Sequence, residues 1–414
     1  MMKKTAFIYL LWMTGFISFA QAPTKKAIYI IMDGIPTDII HKASTPNLDR
    51  IEKEGVFLNS YVGGKKGTYC ETPTISANGY AILVTGVWAN KNNVWNNSLT
   101  APNYNYPSLF KLFKDTYPDG KIAIFSTWLD NRTKLLGEGL AATGGIRFDY
   151  HFDGLEVDHE NYPHDKRSNH IKRIDTEVAL AAAKTVYKEG PDLSWVYLQY
   201  TDDVGHHHGN SPEFYNSITF QDALVGLIYD SVKQREEELG EEWLFVVVTD
   251  HGRNPGTGSY HGGQSDNERH IWMVMNKKDI NIYALHNRTA GVDLLPTICG
   301  FLDVKIPTEI QYELDGVSVF KKVDAFDLTA HLIDNKKLML DWKVIDKEKD
   351  VQAEVLVSFT NNVKEGGKDS YRKIGEVNIK DGKASIPVKL PKNSNFMKVV
   401  LKTPNNTLNY WVSK

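Results

Sequence analysis

Short continuous apolar runs recur through the first three quarters of the chain, each bounded by polar residues. They fall at residues 26–32 (KAIYIIM), 121–125 (KIAIF), 194–198 (SWVYL), 244–248 (LFVVV) and 271–275 (IWMVM). Strands covered on both faces read as unbroken runs of this kind rather than as an alternation. Between them, residues 171–188 and 212–239 carry apolar positions at three- and four-residue spacing, as helices do. A further helix opens at Thr45-Pro46, a cap residue followed by proline at the first helical position. Alternating strands and helices predict an α/β fold, a mostly parallel sheet with helices on both faces. Ligands of such sheets bind beyond the carboxyl ends of the strands. Those ends are where chemistry is to be sought.

The pattern changes near Val323. Residues 338–344, 351–359, 371–379, 383–390 and 396–401 are short alternating segments separated by Asn335, Gly366-Gly367, Asp381-Gly382 and Pro391. This predicts a small all-β sandwich over 324–414, following a catalytic unit over 21–323. The sandwich has no clustered His or Asp, which makes it an accessory module suited to a glycan or protein contact. At the other end, residues 1–20 read as a signal peptide. Lys3 and Lys4 precede an apolar stretch too short to span a bilayer, and Ser18-Phe19-Ala20 offers a small-x-small cleavage site. The expectation is a periplasmic or secreted protein with no stable membrane anchor after cleavage.

Composition narrows the classes. The 414 residues hold 48 Lys+Arg against 51 Asp+Glu, with 42% hydrophobic and 24% charged residues. That is ordinary for a folded protein and supplies no basic patch for nucleic acid. Cys70 and Cys299 are the only cysteines. They make neither a disulfide framework nor a CxxC zinc site, and the sequence leaves open whether they pair. Any metal must therefore be held by His and carboxylate.

Three of the predicted strands end in such residues. The first runs into Asp33-Gly34. The third run of the sheet to matter, 194–198, leads to Asp202-Asp203-Val204-Gly205-His206-His207-His208. The strand at 244–248 leads to Thr249-Asp250-His251-Gly252 and on to His261. A carboxylate and an imidazole four residues apart can converge on one ion where a chain turns after a strand, and Gly205 would permit that turn. Three consecutive His cannot all face one ion, so spacing selects Asp202 and His206. Two ions need about six or seven protein ligands. Asp202, His206 and His261 serve one, and Asp33, Asp250 and His251 the other, with zinc the metal that His and Asp together suit. A nucleophile is offered by Ser76, where a small-residue turn enters an apolar helical run ending at Thr85-Gly86. A hydroxyl at a helix N-terminus meets free N–H groups that stabilise a phosphoryl oxygen. The bland alternative is that Ser76 only caps the helix.

Asp33-Gly34, TPNLDRIEKEG at 45–55, the hydroxyl ahead of Gly86, DxxGH at 202–206 and TDHG at 249–252 resemble the alkaline phosphatase superfamily. The likeness covers residues 26–320 and leans to its nucleotide pyrophosphatase/phosphodiesterase branch. It implies a bimetallic ester hydrolase whose nucleophile lies nine residues before the Thr of the Thr-Gly pair, which is Ser76. Thr74 is the second candidate, because the phosphodiesterase branch places threonine at this position. Ser76 also joins the second metal's ligands in this scheme. The resemblance further implies an Asn holding a nonbridging phosphate oxygen, here Asn97 in a degraded Asn92–Asn97 segment. The Cys/Ser-x-Pro-x-Arg motif of formylglycine sulfatases is missing after Ser76. The Lys-x-Arg pair of the monoesterase branch is represented only by Arg132, which favours a diester. The expected function is a phosphodiesterase, nucleotide pyrophosphatase or phosphatase working on a small phosphate ester through a phosphoserine. The alternatives are a sulfate- or phosphonate-ester hydrolase of the same superfamily, or a catalytically silent binding protein.

Overall fold

The computed structural model describes residues 24–286, 289–392 and 394–413; the proposed signal peptide lies outside the described residues. Eight strands form the main sheet: β1 (Lys25–Met32), β2 (Val56–Tyr61), β3 (Ile122–Ser126), β4 (Tyr150–Phe152), β5 (Leu193–Leu198), β6 (Glu242–Val248), β7 (His270–Met275) and β8 (Thr289–Ala290). Their order is β4-β3-β5-β1-β6-β7-β2-β8. All neighbours are parallel except β7, which runs antiparallel to both β6 and β2. The fold is thus the expected α/β sheet, with β1 at its centre between β5 and β6.

The five unbroken apolar runs are strands in which at most one residue escapes burial. In β1, Ile28, Ile30 and Met32 face one layer, while Ala27, Tyr29 and Ile31 face the other. On the first side lie helices Asn169–Glu189 and Pro212–Leu239, through Val178, Ala182, Phe214 and Val225. On the second lie helices Ser76–Thr85, Leu109–Thr116 and Leu294–Phe301, through Leu83, Phe110 and Ile298. Each such side chain taken fully from water stabilises the fold by roughly 1.5–3 kcal/mol. The sequence pattern missed β2, β4 and β8. Among the described residues, no helix is long and apolar enough to cross a membrane.

The C-terminal strands are β9 (Ala325–Ile333), β10 (Lys337–Val344), β11 (Gln352–Ser358), β12 (Arg372–Asn378), β13 (Lys383–Pro387), β14 (Phe396–Lys402) and β15 (Thr407–Ser413). They form antiparallel sheets of order β13-β10-β9 and β12-β11-β14-β15. Leu338, Leu340, Val355, Val399 and Leu401 are buried and belong to the same apolar cluster as the second side of the main sheet. Polar groups reinforce that junction. The buried Lys91 ammonium reaches Asp315 at 2.6 Å and Asn409 at 2.8 Å, and Lys398 reaches Glu313 at 2.5 Å. The Trp411 amide donates to the Tyr69 hydroxyl, and the two rings stack at 5.7 Å.

A chain ending at Val323 would lay this shared apolar face bare. We expect it to melt well below the full-length protein and to aggregate on heating, because exposed core surface is what drives association. An unchanged melting temperature for the shortened chain would show that the β sheets are a passive appendage. The two cysteines are buried and unpaired.

Candidate active site

The three central strands, β5, β1 and β6, deliver the predicted residues to one edge of the sheet. β1 runs directly into Asp33, and β6 into Thr249-Asp250-His251. After β5 the chain does not turn as predicted. It enters helix Tyr200–His208, so Asp202 and His206 share a helix face one turn apart. Gly205 lies within that helix and makes no turn. His207 and His208 point to solvent. The start of this helix is anchored by the buried Asp175 carboxylate, which accepts the Gln199 and Tyr200 amides at 3.1 and 2.9 Å. Burial pushes that carboxyl up to about 6.

Two groups of donor atoms result. In the first, His206 Nε2 lies 3.2 Å from Asp202 Oδ2 and 3.1 Å from His261 Nε2, and His261 Nε2 lies 3.8 Å from Asp202 Oδ1. In the second, His251 Nε2 lies 3.3 Å from both Asp33 Oδ1 and Asp250 Oδ2. The groups are neighbours, with the His251 and His261 rings stacked at 3.8 Å. Zinc bonds of 2.0–2.1 Å in tetrahedral array put neighbouring donors about 3.3–3.4 Å apart. Four of the five separations, at 3.1–3.3 Å, lie close to that edge, and the one from His261 to Asp202 Oδ1 is longer at 3.8 Å.

The remaining atoms of these side chains fit the same reading. Nδ1 of His206, His251 and His261 faces the carbonyls of Ser259, Gly252 and Thr74 at 2.8–2.9 Å. A carbonyl accepts only, so each Nδ1 carries a proton, and Nε2 is the nitrogen each ring turns toward a cation. Asp33 Oδ1 and Asp250 Oδ2 are buried with no hydrogen-bond partner. Buried carboxylate oxygens left bare are costly unless a cation meets them. Asp33 Oδ2, by contrast, accepts from the hydroxyls of Tyr80 and Tyr197.

Without a cation the second group holds protons instead. Burial pulls the His251 imidazole down, but the Asp250 and Asp33 carboxylates more than reverse this and bring it to about 9. Burial, and then the charge of Asp33, pushes Asp250 up. In the first group, burial and the charge of His251 bring His261 down to about 4.

Ser76 is the first residue of helix Ser76–Thr85, after an extended Ile75. Its side chain caps nothing, so the bland alternative falls away. Its Oγ lies 3.2 Å from His251 Nε2, a fourth donor beside the second group. The helix can lie this close because residue 79 is glycine: a Cβ there would sit 2.7 Å from the Asp250 carbonyl oxygen. Thr74 is turned elsewhere. Its hydroxyl donates to the Gly263 carbonyl at 2.9 Å and accepts from the Gly262 amide at 3.1 Å. Asn97 Oδ1 accepts the Ala77 amide at 3.0 Å, which ties Asn97 to the first turn of the Ser76 helix. Arg132 is bound to Glu138 and Asp153 and is no part of this group.

The sequence profile of type I phosphodiesterase / nucleotide pyrophosphatase matches residues 27–297. The chain belongs to this family. The match falls in the phosphodiesterase branch of the alkaline phosphatase superfamily that its motifs resembled. It is 31% identical over 121 residues to GPI ethanolamine phosphate transferase 2 of Schizosaccharomyces pombe, a match spanning 26% of this chain and 16% of the yeast protein. Similar solved structures include the phosphonate monoester hydrolase of Agrobacterium radiobacter, with 13% identity, TM-score 0.49, and 94% and 89% of the two chains covered. Murine ectonucleotide pyrophosphatase/phosphodiesterase 5 is another, with 14% identity, TM-score 0.44, and 68% and 96% covered.

The sequence reading missed the residues that hold these candidate ligands. Tyr80 had a signal, since it lies four residues after Ser76 and therefore on the same helix face. Tyr197 sits in a run read only as buried strand. Arg253 directly follows Asp250-His251-Gly252, and it is completely buried.

Proposed function

We propose that this protein is an exported two-metal phosphodiesterase that forms a phosphoserine on Ser76. The observation that carries the reading is the convergence of Ser76 Oγ, Asp33 Oδ1 and Asp250 Oδ2 on His251 Nε2, at 3.2, 3.3 and 3.3 Å. Asp33, Asp250, His251 and Ser76 would hold one divalent cation and Asp202, His206 and His261 the other, zinc by donor type, together supplying an activated nucleophile and charge neutralisation at the phosphorus and the leaving oxygen. Ser76 Oγ attacks phosphorus in line, and the bond from phosphorus to the leaving alkoxide breaks. The free N–H groups of the Ser76 helix and the Asn97 amide donate to nonbridging oxygens as charge gathers there. Water then attacks the phosphoserine, and Ser76 leaves as the alkoxide to be used again. Export rests on residues 1–20, whose pattern is that of a signal peptide.

The diester preference rests on charge. A phosphomonoester brings a second negative charge that calls for an extra cation. Around the site, Arg132 is paired with Asp153 and Glu138, Arg253 with Asp202, and Arg269 donates to the carbonyls of Val62 and Gly64. Assayed side by side, bis(4-nitrophenyl) phosphate should be turned over with kcat/KM at least about tenfold above 4-nitrophenyl phosphate, a difference in transition-state binding. A phosphonate ester and a sulfate ester complete the panel. Faster monoester or sulfate cleavage would overturn the diester assignment. A folded protein that takes up no metal and cleaves none of the four would be the silent binding protein.

A further inference from the structure

The first donor group contains an oddity. A completely buried arginine touches a carboxylate that, on the reading above, holds a cation. Arg253 Nη1 donates to Asp202 Oδ1 at 2.5 Å, and Nη2 faces the Asp202 carbonyl at 3.3 Å. Nε donates to the Gly258 carbonyl at 2.5 Å. Gly258 immediately precedes Ser259, whose carbonyl orients His206, and the same loop ends at His261. One guanidinium therefore ties Asp202 to the segment that positions the other two donors.

The chain is shaped to admit it. A Cβ on Gly205 would lie 2.5 Å from the guanidinium carbon, and one on Gly34 would lie 2.7 Å from Nη1. Gly205 is helical, where glycine is a poor choice on propensity alone. The glycine of the Asp202-x-x-Gly-His206 motif is explained by the arginine seated against it, not by a turn.

Resting on the two-metal reading, we propose that Arg253 is the positioning residue of the first metal site. By holding Oδ1 in a charge-assisted hydrogen bond it presents Asp202 through Oδ2, at the distance from His206 that a shared ion needs, and it holds the 254–261 segment in register with that helix. Two effects oppose each other here. Coulomb repulsion by the guanidinium should weaken a cation nearby, and orientation of three donors should strengthen it. The proposal is that orientation wins.

The test is zinc uptake by the full chain, measured by calorimetry and by metal content after dialysis, in wild type, Arg253→Lys, Arg253→Met and Gly205→Ala. Wild type should take up two zinc ions. Arg253→Lys keeps the charge but loses the fork, and should bind the first-site ion about 10- to 100-fold more weakly with the second site unchanged. Arg253→Met should do the same or worse. Gly205→Ala guards against misfolding, because alanine favours the helix yet pushes the guanidinium aside; it too should weaken only one site. Adding His206→Ala to Arg253→Lys should then remove no second equivalent of zinc. Tighter first-site binding in Arg253→Met, unchanged binding in both Arg253→Lys and Gly205→Ala, or equal loss at both sites would overturn the proposal. A wild-type chain holding fewer than two zinc ions would overturn the two-metal reading instead.

Discussion

Ser76→Ala is expected to lower turnover of the best diester roughly ten-thousand- to million-fold while the protein still retains zinc. Loss of a covalent nucleophile has effects of that order. The six His and Asp donors remain, so metal content should fall little. Thr74→Ala should cost about ten- to a hundredfold, the usual effect of a group that supports a ligand. Its hydroxyl bridges Gly262 and Gly263, on either side of the bend after His261, while the contact to His261 itself comes from the Thr74 carbonyl, which alanine keeps. Both variants should be assayed on the same ester with zinc determined in the same samples. Abolished turnover in Thr74→Ala with activity kept in Ser76→Ala would reverse the two roles.

The difference between those residues shows what sequence could and could not reach. Ser76 and Thr74 are both hydroxyls on one turn, and counting back from Thr85 favours Ser76. Only the path of the chain shows that Thr74 Oγ1 is consumed by backbone. The sheet was legible because β1, β3, β5, β6 and β7 are buried on both faces and so read as apolar runs. β4 and β8 span three and two residues, too few for any period to register. The antiparallel course of β7 leaves no mark on composition. The six donors were legible because they cluster after strands, yet the local structure at Asp202 was misread. Glycine seven residues after a strand, between Asp202 and His206, suggests a turn until the partner that needs its missing side chain, Arg253, is brought in from another loop. Supporting residues such as Tyr80 and Tyr197 read as ordinary core, because aromatic burial and carboxylate support look identical along a chain.

The second group of donors should also announce itself through pH. His251→Ala removes the atom on which Ser76, Asp33 and Asp250 converge, and should abolish both second-site zinc and turnover. In wild type, the imidazole of zinc-free His251 is brought to about 9 by its two carboxylate neighbours. At every pH below that value an incoming ion must displace a proton, so affinity falls as pH falls, by about tenfold per unit for one proton. In the first group His261, brought down to about 4, asks for no such proton at neutral pH, whereas His206 is raised by its hydrogen bond to Asp202 and adds a pH dependence of its own. Zinc titrations of metal-free protein between pH 6.5 and 9 should therefore show the second site strengthening steeply with pH up to about 9, with a matching proton release in buffers of different ionisation enthalpy. That steep site should be the one missing from His251→Ala. Persistence of the steep site in His251→Ala, or a pH-independent affinity in wild type, would mean that the proton on this cluster is not the one that metal displaces.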